Sequence, residues 1–140
     1  HLIDWELVHY GQPLQDLAHW QAHLWMQAHR APTPAIAEAA ETLSEAFWTA
    51  YLDTVGDAAA TLWTDKMRWQ ASVHFGAEIL VRTVGRFQDG YLYEDLDLDD
   101  PAIQEAVTVA AKHIRTPRDD FGFGSLDVGL GSKKNPKSKT

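Results

Sequence analysis

Three prolines, Pro13, Pro34 and Pro101, each open a stretch of chain in which apolar residues recur at steps of three or four positions. Proline is favoured at the first position of a helix, because no N–H is needed there and its φ angle is already helical. The three-to-four step places the apolar side chains on one face, and that face must pack against a partner. The chain is therefore predicted to be mainly α.

Four helices are expected, covering about residues 13–30, 34–56, 57–85 and 100–116. Thr33 and Asp57 stand where the second and third helices would begin, and their side chains can accept hydrogen bonds from the first backbone N–H groups. Gly76 marks a point of close packing for the third helix. Ahead of the first helix, residues 1–11 are predicted to form a short buried strand that leads to a turn.

The apolar positions of each helix predict which side chains face the core. We expect these to be Leu17, Trp20, Leu24 and Ala28 in the first helix, Ile36, Leu43, Phe47 and Tyr51 in the second, Leu62, Trp63, Trp69, Val73, Ile79 and Leu80 in the third, and Ile103, Ala106 or Val107, Ala110 and Ile114 in the fourth. The six tryptophans fall mostly on these stripes, so they are expected to be core residues rather than a ligand-binding box.

A chain of 140 residues has room for one domain. Residues 1–118 are expected to form it, and residues 119–140, rich in Gly and then in Lys, are expected to be a disordered tail. Four of the 12 basic residues lie in the last eight positions, which leaves eight basic against 20 acidic residues over 1–132. Such an acidic surface repels phosphate backbones, so nucleic acid is not an expected partner.

The sequence lacks a membrane-spanning apolar run and cysteine, and both features bear on the cellular location of the protein. No apolar run approaches the roughly 20 residues that cross a bilayer, so no membrane partner is expected. Cysteine is absent, which excludes disulfides and thiolate metal sites and fits a reducing compartment. The expected location is the cytoplasm.

Two carboxylates stand at the end of the predicted strand. Asp4 and Glu6 are two residues apart, so they share one face if the backbone stays extended. Oxygen ligands of this kind suit Mg²⁺, which commonly takes one or two carboxylates together with waters and substrate phosphates. Spacing alone leaves two interpretations open: a metal site, or acidic side chains that are simply solvated.

The order of short motifs indicates a family. Residues 2–6 (LIDWE), 10–13 (YGQP) and 16–18 (DLA) together resemble the IDWE…G-x-P…DLA signature of the aminoglycoside phosphotransferase and choline kinase-like family. Residues 76–85 (GAEILVRTVG) resemble a later helix of methylthioribose kinase-like members. The resemblance extends over about residues 1–115. It implies the helical part of the C-terminal lobe of a protein-kinase-like fold.

The resemblance implies a role for three residues. Asp4 matches the aspartate that binds Mg²⁺ and bridges it to the phosphates of ATP. Glu6 matches the acidic position after it and would contact the metal directly or through water. Asp16 matches the aspartate that braces the catalytic loop through hydrogen bonds, although an ordinary acid in the first turn of a helix would look the same. The implied reaction moves the γ-phosphoryl group of ATP to a hydroxyl of a small molecule.

The sequence also departs from this family. Members carry a His-Gly-Asp loop and a later Asn ahead of the IDWE strand, and a lysine in a smaller nucleotide-binding lobe, and none of these is among the 140 residues. Positioning and electrostatic stabilisation account for nearly all phosphoryl-transfer catalysis. The chain is therefore expected to be the C-terminal portion of a kinase, inactive alone, with the rest of that kinase as its partner. The alternatives are a freestanding helical binding module and a degenerate kinase remnant.

Other patterns are weaker. His19 and His23 have a spacing used for zinc, but no third ligand is marked, which favours ordinary surface or core histidines. Residues 120–122 (DFG) follow a helix and a proline, so their likeness to the kinase metal motif is taken as coincidence. The acidic segment of residues 94–100 could attract a cationic substrate, or it could be a solvated loop with a helix cap.

Overall fold

A computed structural model describes residues 11–117 of the chain. The strand predicted for residues 1–11 falls almost wholly outside that range, as does the tail predicted for residues 119–140. Within the described range all regular structure is helical and no strand occurs, so the prediction of a mainly α chain is confirmed. No helix in this part of the chain is both long enough and apolar enough to cross a membrane.

The helices begin close to where proline and capping residues predict. Their bounds are α1 (Pro13–His29), α2 (Pro34–Val55), α3 (Ala59–Leu62), α4 (Asp65–Thr83) and α5 (Pro101–Arg115). A single turn of 3-10 helix, Gly56–Ala58, links α2 to α3, and residues 84–100 form a series of turns between α4 and α5. The Asp100 carboxylate accepts a hydrogen bond of 2.8 Å from the N–H of Ala102 and so caps α5.

The prediction of one helix over about residues 57–85 is wrong, because this stretch contains two helices, α3 and α4. The backbone leaves the helical region at Trp63, and α4 starts again at Asp65. Its cap is Thr64, whose hydroxyl accepts from the N–H of Met67 at 3.3 Å, so Asp57 does not cap the long helix. The break turns the Trp63 side chain into the core, where it is 2% exposed.

Thr33 stands at the N-cap of α2 as predicted, but its side chain makes no capping bond. Its backbone carbonyl instead accepts from the N–H groups of Ile36 at 3.1 Å and Ala37 at 3.3 Å. Because Pro34 follows directly, one of the backbone donors that a cap would satisfy is already missing.

The helices pack around α1 and α4. α1 contacts α2 on one side and α4 on the other, and α4 also packs against α5. The core between them is a contiguous cluster of buried side chains that includes Leu14, Ala18, Trp25, Met26, Trp48, Trp63, Phe75, Ile79, Tyr93 and Ile103. Burial of apolar area of this kind is the main force that holds such a bundle together.

Gly76 is confirmed as a point of close packing. A Cβ atom on this residue would lie 2.6 Å from the backbone oxygen of Ala110 and 3.0 Å from a side-chain carbon of Ile114. Both of these residues belong to α5. Only glycine therefore lets α4 and α5 approach this closely.

The predicted core face of α2 is partly wrong. Ile36 and Leu43 are 46% and 49% exposed, while the buried residues of α2 are Ala40, Ser44 and Trp48. Small side chains on this face allow α1 to approach, and the Ser44 hydroxyl donates a buried hydrogen bond of 2.7 Å to the side-chain oxygen of Gln21. Two of the predicted tryptophans, Trp20 and Trp69, are also exposed.

Candidate functional site

Asp16 is the one predicted site residue that lies within the described range. It stands in the first turn of α1, where a negative charge interacts favourably with the helix dipole, and its side chain is exposed. Gln12, at the N-cap, makes no side-chain bond to the helix. An exposed carboxylate here is open to hydrogen bonding from a neighbouring loop. Asp4 and Glu6 lie outside the described residues.

The face of α1 that carries Asp16 continues through His19 and His23, at spacings of three and seven residues. Both histidines point towards Glu78 on α4. The Nε2 atom of His23 lies 3.3 Å from one carboxylate oxygen of Glu78, and the Nε2 atom of His19 lies 4.0 Å from the other. The His74 ring packs edge-on against His19.

Glu78 is the centre of this group of side chains. Its carboxylate also accepts a hydrogen bond of 2.9 Å from Nε of Arg82, one helical turn further along α4. Hydrogen bonding from His23 is the largest cause that lowers the pKa of Glu78 from 4.5 to about 2, against the opposing effect of burial, and Arg82 and His19 add to it. Glu78 is therefore ionised at neutral pH.

Tyr91 completes the group from the segment between α4 and α5. An ionised carboxylate can only accept hydrogen bonds, so Nε2 of His23 carries the proton that faces Glu78. In the neutral imidazole, Nδ1 then accepts a hydrogen bond of 2.5 Å from the Tyr91 hydroxyl. The Arg82 guanidinium lies over the Tyr91 ring at 5.3 Å. We call His19, His23, Glu78, Arg82 and Tyr91 the Glu78 cluster.

The contacts of the Glu78 cluster stabilise the packing of α1 against α4. Both oxygens of the carboxylate already face protein donors, and the two histidines engage this carboxylate. Among the described residues, no group of three or more His, Asp or Glu side chains is arranged to hold a metal ion.

The third histidine of α1, His29, makes contacts similar to those of His23 deeper in the fold. Nδ1 of His29 is hydrogen-bonded to the Tyr93 hydroxyl at 2.8 Å, and its Nε2 lies 3.5 Å from a carboxylate oxygen of Glu105 on α5. The Trp25 ring stacks on the imidazole at 4.7 Å. Burial lowers the pKa of His29 from 6.5, and Glu105 opposes that shift only in part.

Ser72 and His113 form the contact most similar to a nucleophile and its base. The Ser72 hydroxyl lies 2.9 Å from Nδ1 of His113, across the α4–α5 interface. A nucleophile must be reached by its substrate, and Ser72 is 0% exposed. This pair therefore serves the packing of α4 against α5.

The acidic segment of residues 94–100 contains at least two side chains with local structural roles. Asp100 caps α5, and the Glu94 carboxylate accepts a hydrogen bond from the N–H of Gly90. Asp95, Asp97 and Asp99 are exposed. The helix cap is confirmed at Asp100, and the exposure of the other three carboxylates is compatible with both interpretations of the segment.

Comparison with protein-family models, with curated proteins and with solved structures gives no match to this chain.

Sequence reasoning did not predict the Glu78 cluster or the contacts of His29. His23 and Tyr91 are 68 positions apart, and His29 and Tyr93 are 64 apart, so neither contact follows from a local pattern. One signal was available, because Glu78 and Arg82 have the four-residue spacing of a helical ion pair. His23 pairs with Tyr91 and His29 with Tyr93. These pairings can be recognised only when the structure places α1 beside residues 91–93.

We expect Glu78→Gln to lower the free energy of unfolding by about 1–2 kcal/mol at pH 7, because it removes a charged acceptor whose partners are one-third exposed. The pKa of Glu78 is depressed, so its contribution is complete above pH 4.5 and is lost as the pH falls towards 2. Urea denaturation at pH 7 and pH 2.5 measures this, and the difference from wild type should shrink at the lower pH. Glu38→Gln, on an exposed position of α2, is the control and should change neither value. An unchanged difference across this range would contradict the assignment.

Proposed function

We propose that this chain forms the helical part of the C-terminal lobe of an ATP-dependent small-molecule kinase, which transfers the γ-phosphoryl group of ATP to a hydroxyl of its substrate. The observation that carries the proposal is the run of residues 2–6 (LIDWE) followed by residues 10–13 (YGQP) and 16–18 (DLA), in the order of the aminoglycoside phosphotransferase and choline kinase-like signature.

The described helices are consistent with that proposal. Pro13 is the first residue of α1, so the motif leads directly into a helix, and Asp16 is exposed in its first turn. The chain that follows is helical except for turns. An exposed carboxylate at the start of α1 can accept hydrogen bonds from a catalytic loop placed against it, which is the bracing role proposed for Asp16.

Asp4 and Glu6 are the proposed metal ligands, and their hard carboxylate oxygens are the donors that Mg²⁺ prefers. A magnesium ion held there would neutralise charge on the phosphates of ATP. Asp4 is proposed to bind it directly, and Glu6 directly or through water. Asp16 is a positioning residue, since it would act through the loop that it orients.

The catalytic base, the second metal ligand and the nucleotide-binding lysine of the family have no counterpart in these 140 residues. The proposal assigns them to other parts of the kinase, and it follows that the isolated chain is inactive. The substrate class is a small molecule with a hydroxyl, and a cationic one is favoured by the exposed acids near residues 95–99. The cytoplasm is the proposed location.

A second candidate function is a helical interaction module. It is favoured by exposed large apolar side chains on α1 and α2, namely Trp20, Ile36 and Leu43. The same side chains would be covered by the remainder of a kinase, so the two candidates must be separated by nucleotide binding.

Isothermal titration with Mg·ATP tests the proposed function. We expect the complete gene product to bind Mg·ATP and the chain of residues 1–140 alone to give no measurable heat, because the phosphate clamp is missing from it. The sequence of the complete gene product should also contain a His-Gly-Asp loop and a later Asn ahead of Ile3. A complete gene product that lacks this loop, or that binds no Mg·ATP, would overturn the kinase proposal in favour of the interaction module or the remnant.

A further inference from the structure

Three successive residues in the turns between α4 and α5 are attached to α1 or to Arg30, which follows α1 directly. The Tyr91 and Tyr93 hydroxyls are hydrogen-bonded to His23 and His29, and the backbone carbonyl of Leu92 accepts a hydrogen bond of 3.2 Å from Nε of Arg30. We call the two His–Tyr pairs the histidine clasp. Both histidines belong to α1, so the clasp fixes one short segment to one helix.

Each imidazole of the clasp is a bridge between a tyrosine and a carboxylate. Nε2 of His23 faces Glu78 on α4, and Nε2 of His29 faces Glu105 on α5. A neutral imidazole suits both neighbours, because it donates from Nε2 to the carboxylate and accepts at Nδ1 from the tyrosine hydroxyl. A protonated imidazole donates from both nitrogens. The tyrosine hydroxyl can then no longer donate to Nδ1, and its proton needs another acceptor.

That change has different consequences in the two pairs. The His23 side chain is 34% exposed, and Tyr91 is only partly buried, so water can receive the displaced hydroxyl proton. The His29 side chain is 4% exposed and Tyr93 is 0% exposed. The Tyr93 hydroxyl would be a buried donor without an acceptor, so protonation of His29 in its packed position is strongly opposed.

The charged and titratable groups around His29 come from three elements. Arg30, the residue directly after α1, has its guanidinium 5.7 Å from the centre of the Tyr93 ring and disfavours a second positive charge. Glu105 of α5 favours the charged imidazole, but its side chain is 52% exposed, so solvent weakens its effect. The third group is Tyr93, which lies in the turns between α4 and α5. Burial raises the pKa of its hydroxyl, so the hydroxyl stays protonated at neutral pH.

We propose that the histidine clasp is a pH-sensitive device in which acidification opens the His29–Tyr93 pair and loosens residues 91–93 from α1, while the His23–Tyr91 pair persists. The pKa of His29 is depressed, so its contribution to stability is complete above pH 6.5 and is lost progressively as the pH falls below that value. The loosened segment directly precedes the acidic residues 94–100, so its release would move these charges relative to the bundle. This inference rests on the described side chains alone and does not depend on the kinase proposal.

Amide hydrogen exchange of the full 140-residue chain tests the proposal. After correction for the intrinsic pH dependence of exchange, we expect residues 91–93 to exchange about tenfold faster at pH 5 than at pH 7. His29→Gln keeps a donor and an acceptor but cannot be protonated, so it should abolish that increase. His23→Gln is the matched control and should leave the increase in place.

Tyr93→Phe provides a second readout if His29→Gln does not fold. It removes the hydroxyl and keeps the ring, so residues 91–93 should already exchange at pH 7 at the rate that wild type reaches at pH 5. The proposal is overturned if the corrected exchange of wild type is the same at both pH values. It is equally overturned if His29→Gln retains the increase, or if His23→Gln abolishes it.

Discussion

Trp63→Ala is expected to lower the free energy of unfolding by about 3–5 kcal/mol, the range for truncation of a large buried aromatic side chain. Trp63 is 2% exposed, and its ring packs edge-on against Trp48 at 5.1 Å and against Tyr51 at 6.1 Å. It stands at the break between α3 and α4 and contacts α2, so its loss leaves a cavity where three elements meet. A domain of this size is typically stable by about 5–15 kcal/mol, so the variant should be close to unfolding.

Trp69→Ala is the matched control for this prediction. Trp69 lies on α4, is 50% exposed, and should cost less than about 1 kcal/mol when truncated. Unfolding in urea is best followed by far-ultraviolet circular dichroism, because each substitution removes a fluorophore. Equal losses in the two variants would contradict the placement of Trp63 in the core and Trp69 at the surface.

The different exposure of these two tryptophans could not be predicted from the sequence. A single helical stripe through both residues is the simplest reading of the spacing, and it predicts that both are buried. The backbone leaves the helical region at Trp63 and Thr64, so a single helical stripe does not continue through that stretch. The sequence signal for this break is a hydroxyl residue followed by an acid, Thr64 and Asp65, and the apolar residues on either side of it favour one continuous helix.

The starts of α1, α2 and α5 could be predicted because proline and Asp100 act locally. The buried face of α2 could not, since that helix carries apolar residues on more than one side. The choice between faces was made by tertiary packing: Ala40 and Ser44 are small enough for α1 to approach, and Ser44 finds a buried partner in Gln21. Hydropathy patterns favour the larger Ile36 and Leu43, which are exposed.

The predicted site and the contacts found in the fold have different origins. Asp4, Glu6 and Asp16 were predicted from a short contiguous motif, which a single sequence displays directly. Glu78 and its partners are joined across α1, α4 and the turns after α4, so they become visible only in three dimensions. Of the three motif residues, Asp16 alone lies in the described range, where it is exposed in the first turn of α1, and its bracing role stays a prediction.

Under the proposed kinase function, Asp4→Asn is expected to reduce phosphoryl transfer by the complete gene product at least about a hundredfold, because a preorganised electrostatic contact to the transition state is commonly worth that much or more. A hundredfold loss corresponds to about 2.7 kcal/mol of transition-state stabilisation. The substitution keeps the size of the side chain and removes the negative charge that a divalent cation requires. Folding should therefore be little changed, as circular dichroism can verify.

The most direct test of the kinase account is the rate of γ-phosphoryl release from ATP by the complete gene product, measured over a range of Mg²⁺ concentrations. The account predicts that wild type turns over, that Asp4→Asn loses turnover throughout that range, and that Asp53→Asn, an exposed acid on α2, behaves like wild type. Full turnover by Asp4→Asn would contradict the claim that this carboxylate holds the metal shared with the nucleotide.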